Sequence, residues 1–428
     1  MGLLLASFQW FVFILAGSIV APLTIGAAFG MSVEEISSFV QRTFFVIGIV
    51  SLLQGIFGHR KPIVEGPAVL WWSVFLLFAG LESVTPEGAV KTLRSIEMGL
   101  IISGILFLML SFLRVIHYVK RLFTPVVTGT YFILLVAQIS GPFMKGITGV
   151  GYRTNEVDGP VALAALLTAL ITILFTRGKS VFLRSYSVLF GIAVGWLMFQ
   201  VFGLTKPVSS PTTNWITYPE IWVWGTPVFD LGIVITSVVV TLLLMINFVA
   251  SIDVVGNVVG EKGDGRYEQS GVVMGFSQLF SSLFSTVGMV PLSYTAGFLL
   301  ATKLTERLPY LIGSAIILLL SFFPSITMFV AAIPAPVGYA SMLLAFSNML
   351  IIGFKAYKEA GDHEANMFII SLSLMIGLGA MFLTPASLSG VHPAVASLMN
   401  NGLIIGVILC ILLEQTIKGN KKRRGLPG

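Results

Sequence analysis

The sequence predicts an all-α polytopic membrane protein of about fourteen spans arranged as a 7+7 inverted repeat. Three observations carry the prediction. Of the 428 residues, 56% are hydrophobic and only 10% charged, against about 25% charged in soluble domains, and mean hydropathy is +0.95. Apolar runs of about 20 residues, the length that crosses hydrocarbon, follow one another with short loops from end to end. Two of them are broken by Gly and Pro at corresponding places in the two halves, at 62–67 and 288–293. Backbone that leaves the helix within lipid must be buried in protein or line a cavity, so a matched pair of breaks points to the central site of a transporter.

In chain order, Leu3–Ile25 reads as the first span, too long and unbroken for a cleaved signal. Spans follow over about 36–57, 62–80, 97–113, 123–140, 160–176 and 185–203. A Pro-, Ser- and Thr-rich loop from Thr205 to Trp224 joins the halves. The second set covers about 229–251, 271–287, 291–304, 309–330, 334–353, 367–383 and 398–416. An odd number of spans in each half inverts the repeats relative to one another, and Pro125–Gly129 and Pro336–Gly338 give a fainter second echo. With both termini cytoplasmic, nineteen of the 25 Lys and Arg fall in inner loops, span ends or the tail, and five in outer loops. This is a positive-inside bias. The net charge of +6 is therefore a topology signal and not a nucleic-acid signature. The Lys421–Arg424 cluster reads as a topology anchor, with anionic lipid as the alternative. The single cysteine, Cys410, excludes a disulfide framework or thiolate metal cluster within the chain and reads as a small buried apolar residue.

Ionisable groups inside a bilayer cost roughly 2.5 kcal/mol or more, so each asks for a reason. Asp253 follows the eighth apolar run, with Ala250 one turn before it and Asn257 one turn after on roughly one face. It reads either as a proton or cation site facing a cavity, or as a helix-end residue in cytoplasmic water. Glu65 precedes Gly66 and Pro67 at a half-helix start, where the dipole favours a carboxylate, as a structural cap or as a substrate contact. Ser293, Tyr294 and Thr295 open the opposite half-helix and offer hydroxyl and N–H groups to the polar edge of a planar ligand, or simply cap it. Trp10, Trp71 and Trp72 are candidates for stacking on a flat solute or for interfacial anchors. Arg42 and Glu97 are expected near the outer surface, snorkelling. There is no His-Glu-x-x-His helix, Gly-x-Ser-x-Gly elbow or Walker loop, and His59, His117, His363 and His392 fall in loops or near span ends. The sequence thus predicts neither an enzyme nor a cofactor, and transport has to draw on an ion gradient, H+ or Na+.

Several motifs then resemble the nucleobase–ascorbate transporter family, the xanthine/uracil permeases, over nearly the whole chain. Ala16–Leu23 resembles the family's Ala-Gly-x-x-x-x-Pro-Leu, and Lys61–Gly66 its third-span Leu-Pro-x-Val-Gln-Gly. Phe123–Thr130 resembles Phe-Pro-Pro-Val-Val-Thr-Gly-Thr, and Trp224–Asp230 the segment before span eight. The resemblance implies a core domain in two parts (1–121, spans 1–4; 226–332, spans 8–11) and a gate domain in two parts (122–225, spans 5–7; 333–428, spans 12–14 and the tail). It implies short strands in broken spans 3 and 10, elevator-type movement, a nucleobase substrate, the cytoplasmic membrane, and a homodimer through the gate. The site departs from the family pattern. Ala250 stands where span eight carries a Glu that binds the base, Tyr294 and Thr295 stand where span ten has Glu or Gln followed by Asn, and Trp10 replaces a first-span His. Asp253, one turn from Ala250, is the expected stand-in for the lost carboxylate, with Asn257 beside it. The expected site is Ser293, Tyr294, Thr295, Glu65, Trp71 and Ala250 for substrate, and Asp253 and Asn257 for the coupling ion. An anion transporter on the same scaffold, built on two half-helix N-termini, and a non-transporting membrane sensor are the alternatives.

Overall fold

The computed structural model describes residues 2–82, 86–115, 124–180, 183–184, 186–206, 215–261, 266–361, 363–383, 399 and 402–423. His117, His392, part of the loop joining the halves and Arg424 lie outside them. In chain order the elements are α1 (Leu3–Ser18), α2 (Val20–Ala28), α3 (Val33–Ile56), β1 (Glu65–Pro67), α4 (Val69–Glu82), α5 (Pro86–Phe112), α6 (Pro125–Ile147), α7 (Gly159–Arg177) and α8 (Ser187–Val201). Then come α9 (Leu231–Val259), α10 (Tyr267–Leu283), β2 (Met289–Pro291), α11 (Thr295–Thr302), α12 (Arg307–Leu320), α13 (Pro324–Ala331), α14 (Ala335–Ala360), α15 (Glu364–Ala380) and α16 (Gly402–Arg423). Each apolar segment read from the sequence carries at least one helix.

Local chemistry sets the helix starts. Ser32 and Glu35 form a reciprocal capping box at α3. Asp230 accepts from the Ile233 N–H at α9, and Asp158 from the Val161 N–H at α7. Pro125 enters the first turn of α6 behind Thr124, where a missing N–H costs nothing, and Pro336 sits in the first turn of α14.

Among the described residues, six helical runs, with α1 and α2 together as one of them, are long and apolar enough to cross a bilayer by length and composition, or seven if α12 and α13 count as one bent span. The uninterrupted span expected over 309–330 is not one: α12 and α13 meet at 92°. Pro324 is in the first turn of α13, and a proline there opens a new helix rather than continuing the old one.

The strongest helix pairings sort into two sets. One set holds α5 on α10, α1 on α12, and α3 on both α12 and α13, with α9 against α5. The other holds α6 on α14, α15 on α16, α7 on α8 and α14, and α16 on α6. The α5–α10 contact is close because Gly104 and Gly275 face each other: a Cβ on either would lie 2.9 Å from the other's carbonyl oxygen. The sets meet where α2 touches α14 and α4 touches α6, with Trp72 of α4 against Phe143 of α6.

Between the helices of the first set lies the only sheet among the described residues, the antiparallel pair β1–β2. Its register is Glu65 to Pro291, Gly66 to Val290 and Pro67 to Met289. Two further bonds extend it, Ala68 N–H to the Gly288 carbonyl at 2.8 Å and Leu292 N–H to the Val64 carbonyl at 2.9 Å. Pro67 and Pro291 have no N–H to give a helix and favour the extended conformation. Each strand leads into a short helix. The 14 residues of α4 measure about 21 Å and the 8 of α11 about 12 Å, both shorter than the roughly 30 Å of hydrocarbon. The breaks read from the sequence thus fold as paired strands that bond each other's backbone, as residues away from water require.

Candidate functional site

The strand pair brings the two halves of the chain into one polar cluster. On the second half, the Thr295 hydroxyl accepts the Val64 N–H at 3.2 Å, joining the start of α11 to the lead into β1. Ser293 shares a 2.8 Å hydroxyl–hydroxyl bond with Ser251 of α9, which also donates to Asn247 at 3.1 Å. Ala250, half-buried, is the next residue on α9. Tyr294 is 39% exposed, with its ring edge-on to Phe13 and its hydroxyl against Gly17 of α1. Neither Ser293 nor Thr295 caps α11 through its side chain. The first-turn N–H groups of Thr295, Ala296 and Gly297 donate instead to the carbonyls of Leu292, Ser293 and Tyr294. The hydroxyls therefore make cross-links rather than caps, and this helix start has few N–H groups left for an anion.

Glu65 is fully buried at the start of β1. It does not cap α4. Its Oε1 lies 3.2 Å from Nε2 of His59, and its Oε2 has no hydrogen-bond partner among the described residues. Trp71, on α4, is fully buried behind the other end of the sheet, with its ring and the Gln278 amide packed on Gly288. The Gln278 Nε2 donates to the Met289 carbonyl at 2.7 Å, while its Oε1 and the Trp71 Nε1–H have no partner among the described residues. Along α9, Asp253 is half-buried and accepts from the Tyr267 hydroxyl at the start of α10, and Asn257 is exposed one turn on. The expected substrate residues thus converge on the strand pair, with Tyr294 at its edge, while the ion pair of residues lies farther along α9.

Several expectations need correction. Arg42 and Glu97 are not surface snorkellers but are 1% and 0% exposed. Arg42 lies over the Phe39 and Trp224 rings, and Glu97 Oε1 accepts from the Ser285 hydroxyl at 2.5 Å. Three trapped tryptophans replace interfacial anchors: Trp10 sits among Phe13, Phe298 and Tyr310, and Trp71 and Trp72 are buried too. His59 lies just past the end of α3, as expected, and is buried there. Gln278, Ser251 and His59 were missed. Only His59 had a readable signal, its place six residues before Glu65 across Pro62, since contacts between distant segments leave no local pattern. Cys410 is buried as expected.

Cavities open at opposite ends of α3. One of about 260 Å³, lined by Ala27, Lys145, Tyr152 and Tyr339 among others, lies between the two helix sets near the start of α3. Another of about 630 Å³, lined by His59, Arg60, Glu261, Arg266, Thr305 and Arg307 among others, lies beyond its end. No cluster of metal-ligating side chains occurs among the described residues.

Half-helices led by paired strands, with hydroxyls and a buried carboxyl near their junction, are the arrangement expected at the central site of a membrane transporter. The chain belongs to the xanthine/uracil permease family: that family's model, described as "Permease family", matches residues 1–386. YwdJ of Bacillus subtilis, designated a candidate purine permease, is 36% identical over 97% of this chain and 96% of its own. The uric acid permease PucK of the same organism is 24% identical over 96% of this chain and 94% of its own, and its xanthine permease 24% over 93% and 90%. Among solved structures, the transmembrane domain of the cyanobacterial bicarbonate transporter BicA superposes with a TM-score of 0.62, covering 95% of this chain and 96% of its own at 16% identity. The murine anion transporter Slc26a9 gives 0.65, covering 97% and 68% at 13% identity. These two show the shared fold.

Proposed function

We propose that this protein is a secondary active transporter that takes up a purine or pyrimidine base, with xanthine and uric acid foremost, driven by a proton or sodium gradient. The pairing of β1 with β2 carries the reading, because it joins the Ser293, Thr295 and Ser251 hydroxyls to a fully buried carboxyl. A flat heterocycle with alternating donors and acceptors matches such a set. The names of the relatives favour a base over an anion, as does the occupied start of α11. In this reading Ser293, Tyr294 and Thr295 contact the base, Ala250 gives it room against α9, and Glu65 and Trp71 support the pocket from β1 and α4. Asp253, with Asn257 beside it, is the candidate for the coupling ion that the sequence singles out.

The proposal extends to fourteen spans in a 7+7 inverted repeat in the cytoplasmic membrane, with both termini inside. Residues 1–121 and 226–332 form the core, and 122–225 and 333–428 the gate, in keeping with the two sets of helix pairings. The core moves against the gate as an elevator, and two copies pair through the gate. Uptake of labelled xanthine, uric acid, guanine and uracil, set against bicarbonate and sulfate, tests the reading in a cell lacking its own base transporters. Accumulation of a base supports it, and loss of that accumulation only in Asp253→Asn assigns the ion to Asp253. Anion uptake without base uptake moves the assignment to the anion reading, and binding without flux to a sensor.

A further inference from the structure

We infer that Glu65 carries the coupling proton on its Oε2 atom, held in place by His59. The inference rests on the base-transport reading above and assigns its ion and the carrier. The His59 ring accepts the Lys61 N–H at Nδ1, 3.0 Å away, so the ring's own hydrogen is on Nε2. That hydrogen is donated to Glu65 Oε1 at 3.2 Å. With Oε1 engaged, the titrating proton binds Oε2, the oxygen that has no partner among the described residues.

The surrounding charges leave the carboxylate uncompensated. His59 is neutral in this tautomer. The Lys61 ammonium is bound to Glu261 Oε2 at 2.6 Å. Tyr310 of α12 gives its hydroxyl hydrogen to the Ser51 carbonyl at 3.2 Å. Arg60, Arg266 and Arg307 line the cavity in front of His59, one residue removed from Glu65. Helix α1, which packs on β1, contributes no ionisable side chain. A buried carboxylate without a cation is costly to carry through an apolar surround, and adding one proton makes the unit neutral. An O–H bond forms at Oε2 when the proton loads and breaks when water takes it on the other side. No redox step is involved. The neighbouring Val64 N–H donates to the Thr295 hydroxyl at 3.2 Å, which ties the strand that carries the carboxyl to the start of α11.

The test uses the full chain in proteoliposomes with labelled xanthine or uric acid, whichever the cells accumulate. A one-unit pH gradient drives accumulation of at most about tenfold for one proton per base. Glu65→Gln is expected to bring that ratio to about one, while a measurable residual base-for-base exchange shows that the carrier still cycles. His59→Leu removes the donor that favours the charged carboxylate, so the pH of half-maximal uptake moves upward, and His59→Gln restores it. Equal accumulation by Glu65→Gln and wild type, sodium-driven wild-type uptake, or loss of coupling only in Asp253→Asn each overturns the inference while base transport stands. Loss of exchange in Glu65→Gln assigns the carboxyl to base binding and overturns it as well. Absence of any base uptake by the wild type defeats the underlying reading instead.

Discussion

Gly288 is the residue at which the strand pair leaves least room. A Cβ built there falls inside contact distance of Trp71 Cδ1 and Gln278 Oε1, and 2.6 Å from Trp71 Nε1. Neither neighbour can retreat cheaply. Trp71 is fully buried, and the Gln278 amide is fixed by its 2.7 Å bond to the Met289 carbonyl. The Gly288 carbonyl itself accepts the Ala68 N–H, so moving the backbone loosens the sheet. Gly288→Ala therefore costs about 1–3 kcal/mol of overpacking, less about 0.4–1 kcal/mol from a stiffer unfolded chain, for a net loss of about 1–2 kcal/mol. In detergent this lowers the unfolding midpoint by a few degrees, and uptake falls with it because both half-helices hang from the sheet. Gly297 of α11 is the control, since nothing lies within 4 Å of a Cβ there, and Gly297→Ala is expected to leave the midpoint unchanged or raised by its better helix propensity. An unchanged Gly288→Ala protein, or equal damage from both substitutions, refutes the packing argument.

Thr295→Val keeps the shape but strands the Val64 N–H, whose acceptor is the Thr295 hydroxyl. The expected loss is about 1–3 kcal/mol, and Thr295→Ser recovers part of it in the same thermal assay. Ser285→Ala removes a hydroxyl that donates to Glu97 and accepts the Val223 N–H at 2.9 Å. With both groups left short, a loss of about 2–3 kcal/mol is expected, and a thermal midpoint equal to wild type would contradict it.

The sequence disclosed the parts of this molecule that obey local rules. Apolar runs of span length became helices, and Pro62, Gly66 and Pro67 against Gly288 and Pro291 marked where two of them stop. Those same breaks located the strand pair and the candidate site beside it, since a helix interrupted in lipid must bond its backbone elsewhere. The partners were not legible. The register of Glu65 on Pro291 joins residues more than two hundred positions apart, and no periodicity encodes it. The Ser251–Ser293 bond and the seat of Gln278 on Met289 depend on how α9 and α10 cross the sheet, which is tertiary geometry. Arg42 and Glu97 misled for a related reason. Near a span end, charge suggests snorkelling, but here aromatic rings and the Ser285 hydroxyl receive the groups in the interior. His59 is the loop residue it looked like, but its burial behind α3 could not be read from the sequence.

The central claim, that a base is gripped where the two broken segments meet, is most directly tested by substrate protection. Ser293→Cys, made in a Cys410→Ser background, places a thiol beside Ser251 at the start of α11, and a small maleimide reports its accessibility. The account predicts that the transported base slows labelling with the same half-maximal concentration that it shows in uptake, while bicarbonate does not. Labelling that proceeds at one rate with and without a transported base would contradict it.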